Sequence, residues 1–191
     1  MTDQAFETPV AHATAPPGGF EPAPRTSHLD AVVSRIARAF AGELSTGDLA
    51  ELRRLPPGDP SAVAFWKVAS ACLRPAGYLL ASGESLARDE RAWGALLASF
   101  AHLPPHHPGT PLGVALARAE MSELRFVRLL RAREEALLYA VRNTARFLAA
   151  KAIGTNWTDL ARLVLSDSAV HAEEVRRNIA RHYFGTLGRT E

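Results

Sequence analysis

From residue 28 onward, apolar residues recur along this chain at helical spacing. Leu29, Val32, Val33, Ile36 and Phe40 follow an i, i+3, i+4, i+7 rhythm, the signature of one buried helix face, opening behind Ser27 and closing at Gly42. Asp48 to Leu55 reads as a short second helix behind Ser45 and Thr46, stopped by Pro56, Pro57 and Gly58. Ser61 is the expected cap of a third, which carries Val63, Phe65, Trp66, Val68 and Ala69 as far as Leu73. Tyr78 to Ser85 reads as a connection. Leu86 to Leu103 then predicts a longer helix with Trp93, Leu96, Leu97 and Phe100 facing inward.

The run Pro104-Pro105-His106-His107-Pro108-Gly109 interrupts the pattern, and it divides the expected domains: a helical bundle over 28–109 and a second over 110–191. Thr110 is the expected cap and Pro111 the first residue of a helix through Ala119, since proline lacks only an N–H that this position does not use. Ser122 opens Glu123 to Arg131, and Glu134 to Lys151 follows, closed by Gly154. Thr155 or Asn156 caps Trp157 to Leu165, and Ser168 caps Ala169 to Phe184, with Gly185 as the stop. No segment alternates as a strand would. The reading is all-α, two small helical bundles of eight to nine helices, behind a Pro- and Ala-rich tail over 1–27 with no apolar period, expected to be disordered.

Composition narrows the classes. The 191 residues are 47% apolar, enough for a core. Cys72 is the single cysteine, so no disulfide forms within the chain, and a buried thiol in a reducing compartment is expected. No apolar run approaches the roughly 18 residues of a membrane span, and the first residues lack the basic-then-apolar order of a secretory signal. A cytoplasmic protein without membrane attachment is expected.

The net charge of +2 hides an uneven distribution. The basic residues are 20 Arg against two Lys, a bias that a GC-rich genome would produce by itself. From Met1 to Thr110 nine basic residues face eleven acids, whereas from Arg125 to Lys151 there are seven basic residues and only Glu134 and Glu135. Arg142 and Arg146 lie one helical turn apart on one face. Two readings stay open: a solvated helix face with i, i+4 partners, or a sequence-independent phosphate track, for which arginine's planar fork is suited. Tyr139, Tyr183 and Trp157 are the only candidates for base stacking, Trp157 looking like core, so backbone contact is expected rather than base reading.

Catalytic and metal signals are poor. His102, His106 and His107 sit in a proline-rich loop without a nearby acid to orient an imidazole. No phosphate-binding glycine loop, nucleophile elbow or paired-histidine zinc motif occurs. Neither an enzyme nor a cofactor or metal site is expected.

The string itself adds a resemblance. Leu112-Gly113-Val114-Ala115-Leu116, Ser122-Glu123-Leu124-Arg125-Phe126 and Leu129-Leu130-Arg131-Ala132-Arg133 resemble the signature run of the CasB family, the small subunit of the type I-E CRISPR Cascade effector. Asn156-Trp157-Thr158-Asp159-Leu160 and the closing segment Val175 to Phe184 continue it, as do Leu49 to Leu55 and Ala64-Phe65-Trp66 upstream. Ser166-Asp167 stand where that family usually has a tryptophan. The resemblance implies a non-catalytic, all-α subunit of a guide RNA-containing Cascade. It would dock on the backbone and large subunits and on a second copy of itself, and help hold target and non-target DNA strands in an R-loop. The expected contacts are Arg53, Arg54, Arg131, Arg133, Arg142, Arg146, Arg176 and Arg177, while Arg125 stands equally well as an ion-pair partner of Glu123. A pure bridging role, with these arginines meeting acidic protein, is the competing expectation.

Overall fold

The computed structural model describes residues 25–166 and 168–189. Among them are nine α-helices and no strand: α1 Arg25–Arg38, α2 Thr46–Arg54, α3 Val63–Val68, α4 Gly83–Phe100, α5 Leu112–Arg118, α6 Glu123–Arg131, α7 Glu134–Ala150, α8 Trp157–Leu165 and α9 Ala169–Leu187. The all-α expectation holds. The tail expected over 1–27 lies outside the described residues as far as Pro24, and Arg25–Ser27 already form the first turn of α1. Ser27 is therefore inside the helix, whose opening turn precedes the first apolar position and so leaves no trace in the rhythm.

Helix ends whose partners are close in sequence follow expectation. Ser45 and Asp48 form a reciprocal capping box on α2, Asn156 accepts from Thr158 N–H at the start of α8, and Ser168 accepts from His171 N–H on α9. Ends capped from a distance do not. The cap of α3 is Ala62 and not Ser61, because both carboxylate oxygens of Glu51, on α2, accept from Val63 and Ala64 N–H at 3.1 Å. Pro111 is the cap of α5 rather than its first residue, and Asp159 of α8 accepts from Leu112 N–H at 2.8 Å.

Glycine stops also shift. Gly42 lies within a π-turn, Ala39–Glu43, that continues α1, and Gly185 lies inside α9, which runs on until Leu187 packs against the core. A helical glycine costs only about 1 kcal/mol, so it does not by itself end a helix where Leu44 or Leu187 still packs on the core beyond it. Ala152, at φ 54°, and not Gly154, takes the left-handed position that ends α7.

One buried cluster runs from Leu29 in α1 to Tyr183 in α9, through both sides of the Pro104–Gly109 break. Trp157 joins them: its ring stacks on Phe100 at 4.9 Å, meets Phe40 edge-on at 5.9 Å and donates its indole N–H to the Pro104 carbonyl. α4 packs on α7 and α8, and α5 packs on α9. The last approach is the tightest, since a Cβ on Gly113 would fall 2.2 Å from the Ile179 carbonyl and 2.8 Å from the Tyr183 nitrogen. On the outside, Val63 and Trp66 stay exposed along α3, where the sequence pattern could not separate them from the buried Phe65 and Val68.

Candidate nucleic-acid interface

The eight arginines singled out in the sequence gather into two clusters of one design, each at a helix C-terminus. The last carbonyls of a helix have no partner within it and carry partial negative charge. At the end of α2, Arg142 reaches over from α7, donating one terminal nitrogen to the Leu55 carbonyl and the other to the Arg53 carbonyl at 2.8 Å. Arg53 in turn donates Nε to the Ala101 carbonyl just past α4, at 2.6 Å. Three elements are thereby tied together. Arg54 and Arg146 stand exposed beside the tie, and the Arg142 Nε is buried without a partner.

Among the described residues the charges of this front cluster are all positive. Burial, then Arg142, Arg146 and Arg53, hold the His102 imidazole below its ordinary pKa, so it is neutral at neutral pH. Burial and then Arg146 push Arg142 down as well. No carboxylate among the described residues forms an ion pair with Arg53, Arg54, Arg142 or Arg146. Tyr139, one turn before Arg142 on α7, is half exposed.

The rear cluster repeats the device at the end of α6. Arg176 of α9, only 6% exposed, donates Nε to the Leu130 carbonyl at 3.0 Å and a terminal nitrogen to the Ala132 carbonyl at 3.4 Å. Arg133 donates to the same two carbonyls, while Arg131 and Arg177 face solvent. Here a carboxylate intervenes: Glu173 lies 4.0 Å from Arg133 and 3.8 Å from Arg177. Burial and then the Arg133 charge lower the pKa of Arg176, with Glu173 opposing them.

Other expected residues separate from these clusters. Tyr183 is unavailable for base stacking: it is buried, stacked on Phe126 at 3.9 Å, with its hydroxyl donating to the Met121 carbonyl. Trp157 is core. Arg125 lies over the Phe147 ring at 5.9 Å rather than against Glu123. His106 uses Nδ1 to accept from Trp157 N–H, and among the described residues no group of three His, Cys, Asp or Glu could hold a metal. Cys72 is buried, and burial pushes its thiol pKa up. Among those residues no helix is long and apolar enough to cross a membrane.

Sequence reasoning missed Arg88 and Arg91. They line a cleft of about 1250 Å³ between α4, α7, α8 and α9, together with Arg133 and Arg176. Their i, i+3 spacing on α4 was the available signal, but only the fold brings that face opposite α9.

Fold and site together define a class: a helical protein, with no strand among the described residues, whose conspicuous side-chain chemistry is guanidinium presented at helix ends. The chain belongs to the CRISPR-associated protein Cse2 family, whose model matches residues 48–184. Solved structures agree in fold. CasB from Thermobifida fusca superposes with a TM-score of 0.58 at 20% identity, covering 83% of this chain and 96% of that one. A chain of the E. coli Cascade bound to a PAM-containing double-stranded DNA target gives 0.58 at 19% identity, covering 80% and 96%. A Cse2-family protein from Thermus thermophilus gives 0.60 at 20% identity, covering 82% and 97%. No curated protein matches.

Proposed function

We propose that this chain is the non-catalytic small subunit of a type I-E Cascade, an RNA-guided surveillance complex, and that its front cluster grips sugar-phosphate backbone of the target and displaced DNA strands. The observation that carries this is the grouping of Arg53, Arg142 and Arg146 around a neutral imidazole, with Arg54 beside it and no carboxylate paired to any of the four among the described residues. Cations that repel one another and lack an internal counter-charge are relieved by an external polyanion. The expected contacts divide by role. Arg54, Arg146 and the terminal nitrogens of Arg53 meet phosphate, whereas Arg142 faces inward and holds the α2 terminus that presents them. Such contacts carry no base code, and none is needed where guide pairing reads the sequence. Strand exchange is nearly balanced in free energy, so modest backbone contacts are enough to tip it.

The rear cluster favours a second role, bridging to protein. Glu173 partly neutralises Arg133 and Arg177, and a surface of mixed sign suits the backbone and large subunits or a second copy better than a phosphate chain. The test is the double substitution Arg54→Glu and Arg146→Glu in the assembled complex. Assembly is expected to persist by size-exclusion chromatography, while target affinity drops about tenfold or more and the salt dependence flattens by about two charges. Intact assembly with unchanged duplex opening would leave only the bridging role.

A further inference from the structure

Beside the front cluster stands an aromatic ring that a phosphate grip leaves unused. Trp66, Tyr139 and Phe184 are the exposed Trp, Tyr and Phe side chains among the described residues. Trp66 packs edge-on against the buried Phe65 at 5.0 Å, and Phe184 meets Phe126 and Tyr183 edge-on at 5.8 and 5.1 Å. Tyr139 has no ring or cation contact and no side-chain hydrogen bond among these residues. Its place follows from α7. At about 100° per residue, Tyr139, Asn143 and Arg146 share one exposed face, with about 10 Å of helix axis between the first and the last. Arg142 flanks that face and holds the Arg53 and Leu55 carbonyls, while Gly58 closes on Leu138, where a Cβ would fall 3.3 Å from Cδ1. The α2 terminus, with Arg54 exposed, therefore runs alongside the Tyr139 face. Glu135, one turn before Tyr139 on the same face, ends the basic stretch, so the cations lie toward Arg146.

We infer that Tyr139 is a stacking platform for an unpaired nucleobase, and that the strand seated on the front cluster is single-stranded DNA with its phosphates on Arg54 and Arg146. Every base has a π-face, so such a stack tolerates any sequence, but it needs a base turned out of its helix. Bases inside a duplex or a guide hybrid already cover their faces with neighbours. The inference rests on the proposed phosphate grip for its anchoring contacts, and adds to it a preference for unpaired over paired strands.

The test titrates the full chain with a short oligothymidylate and with an abasic strand of the same length, which carries the same phosphates without bases. Affinity for the abasic strand measures the phosphate grip alone, and the ratio of the two affinities measures the stack alone. The unsubstituted chain is expected to favour oligothymidylate about tenfold, a ratio that persists as salt rises and both affinities fall. Tyr139→Ala is expected to bring the ratio near one with abasic affinity unchanged, which also shows that the fold persists, whereas Tyr139→Phe and Tyr139→Trp keep the ratio. A DNA duplex closed by hairpins at both ends is expected to lose nothing on Tyr139→Ala. Absence of oligothymidylate binding, a ratio near one in the unsubstituted chain, a ratio unaltered by Tyr139→Ala, or an equal loss on the closed duplex overturns the proposal. If Arg54→Glu/Arg146→Glu weakens neither strand while the ratio stands, the phosphate grip fails and the stack remains.

Discussion

The two arginine clusters share an architecture and differ in one residue type. In each, an arginine from a later helix grips the bare carbonyls at the end of an earlier one, Arg142 on α2 and Arg176 on α6, and other arginines are displayed alongside. Among the described residues no carboxylate pairs with the front cluster, whereas Glu173 pairs with the rear one. An arginine count cannot separate them, because clamp, displayed cation and neutralised cation are written with the same letter. What decides is where the guanidinium's donors are already engaged.

The largest effects are expected at the clamps. Arg176→Met leaves the Ala132 carbonyl without its α9 donor and vacates a buried cationic site, and a loss of about 3 kcal/mol is expected in urea unfolding. Arg142→Met removes both donors to the α2 terminus from a less buried position and should cost about 2 kcal/mol. Equal and negligible losses would show that neither arginine holds its helix end.

Next in size is the contrast in binding. Where the front pair Arg54→Glu/Arg146→Glu lowers target affinity about tenfold, Arg131→Glu/Arg177→Glu should lower it less than about threefold, read by titration at matched salt. A reversed order would move the phosphate grip to the rear.

A smaller effect distinguishes the clusters by pH. The folded-state pKa of His102 lies below its ordinary 6.5, with burial the main cause. Below pH 6.5 the unfolded chain takes up a proton that the fold resists, so this contribution to stability is complete above 6.5 and is lost as pH falls toward the folded value. His106 is lowered by burial too and adds in the same direction. The melting temperature should therefore drop between pH 7 and pH 5, and His102→Gln should reduce the slope without abolishing it. The smallest change is expected from Glu173→Gln, which frees two rear cations and should raise affinity about twofold, in keeping with the small worth of exposed ion pairs.

Much of the fold was legible where causes are local. Ser45, Asn156 and Ser168 cap their own helices, and the buried faces of α1, α4 and α7 announce themselves by period. The caps supplied by Glu51 and Asp159 were not legible, since each donor–acceptor pair is closed by tertiary packing over 12 and 47 residues. The same limit governs the site. Sequence located the basic helices, but that Arg142 and Arg176 turn inward depends on backbone carbonyls 87 and 46 residues away. Tyr183 looked like a surface aromatic because Tyr on a charged helix usually is one; the stack on Phe126 that buries it joins α6 to α9.

The contact at Gly113 bears on biosynthesis. α5 finds its closest neighbour in the final helix, with the Ile179 carbonyl lying where a methyl group would otherwise stand. During translation α5 leaves the ribosome with that flank bare, and it can be covered only once residues near Tyr183 have also emerged. Premature termination within α9 would yield a chain whose second half has no closed core, so defective copies should be cleared by proteolysis before they compete for a place in an assembly.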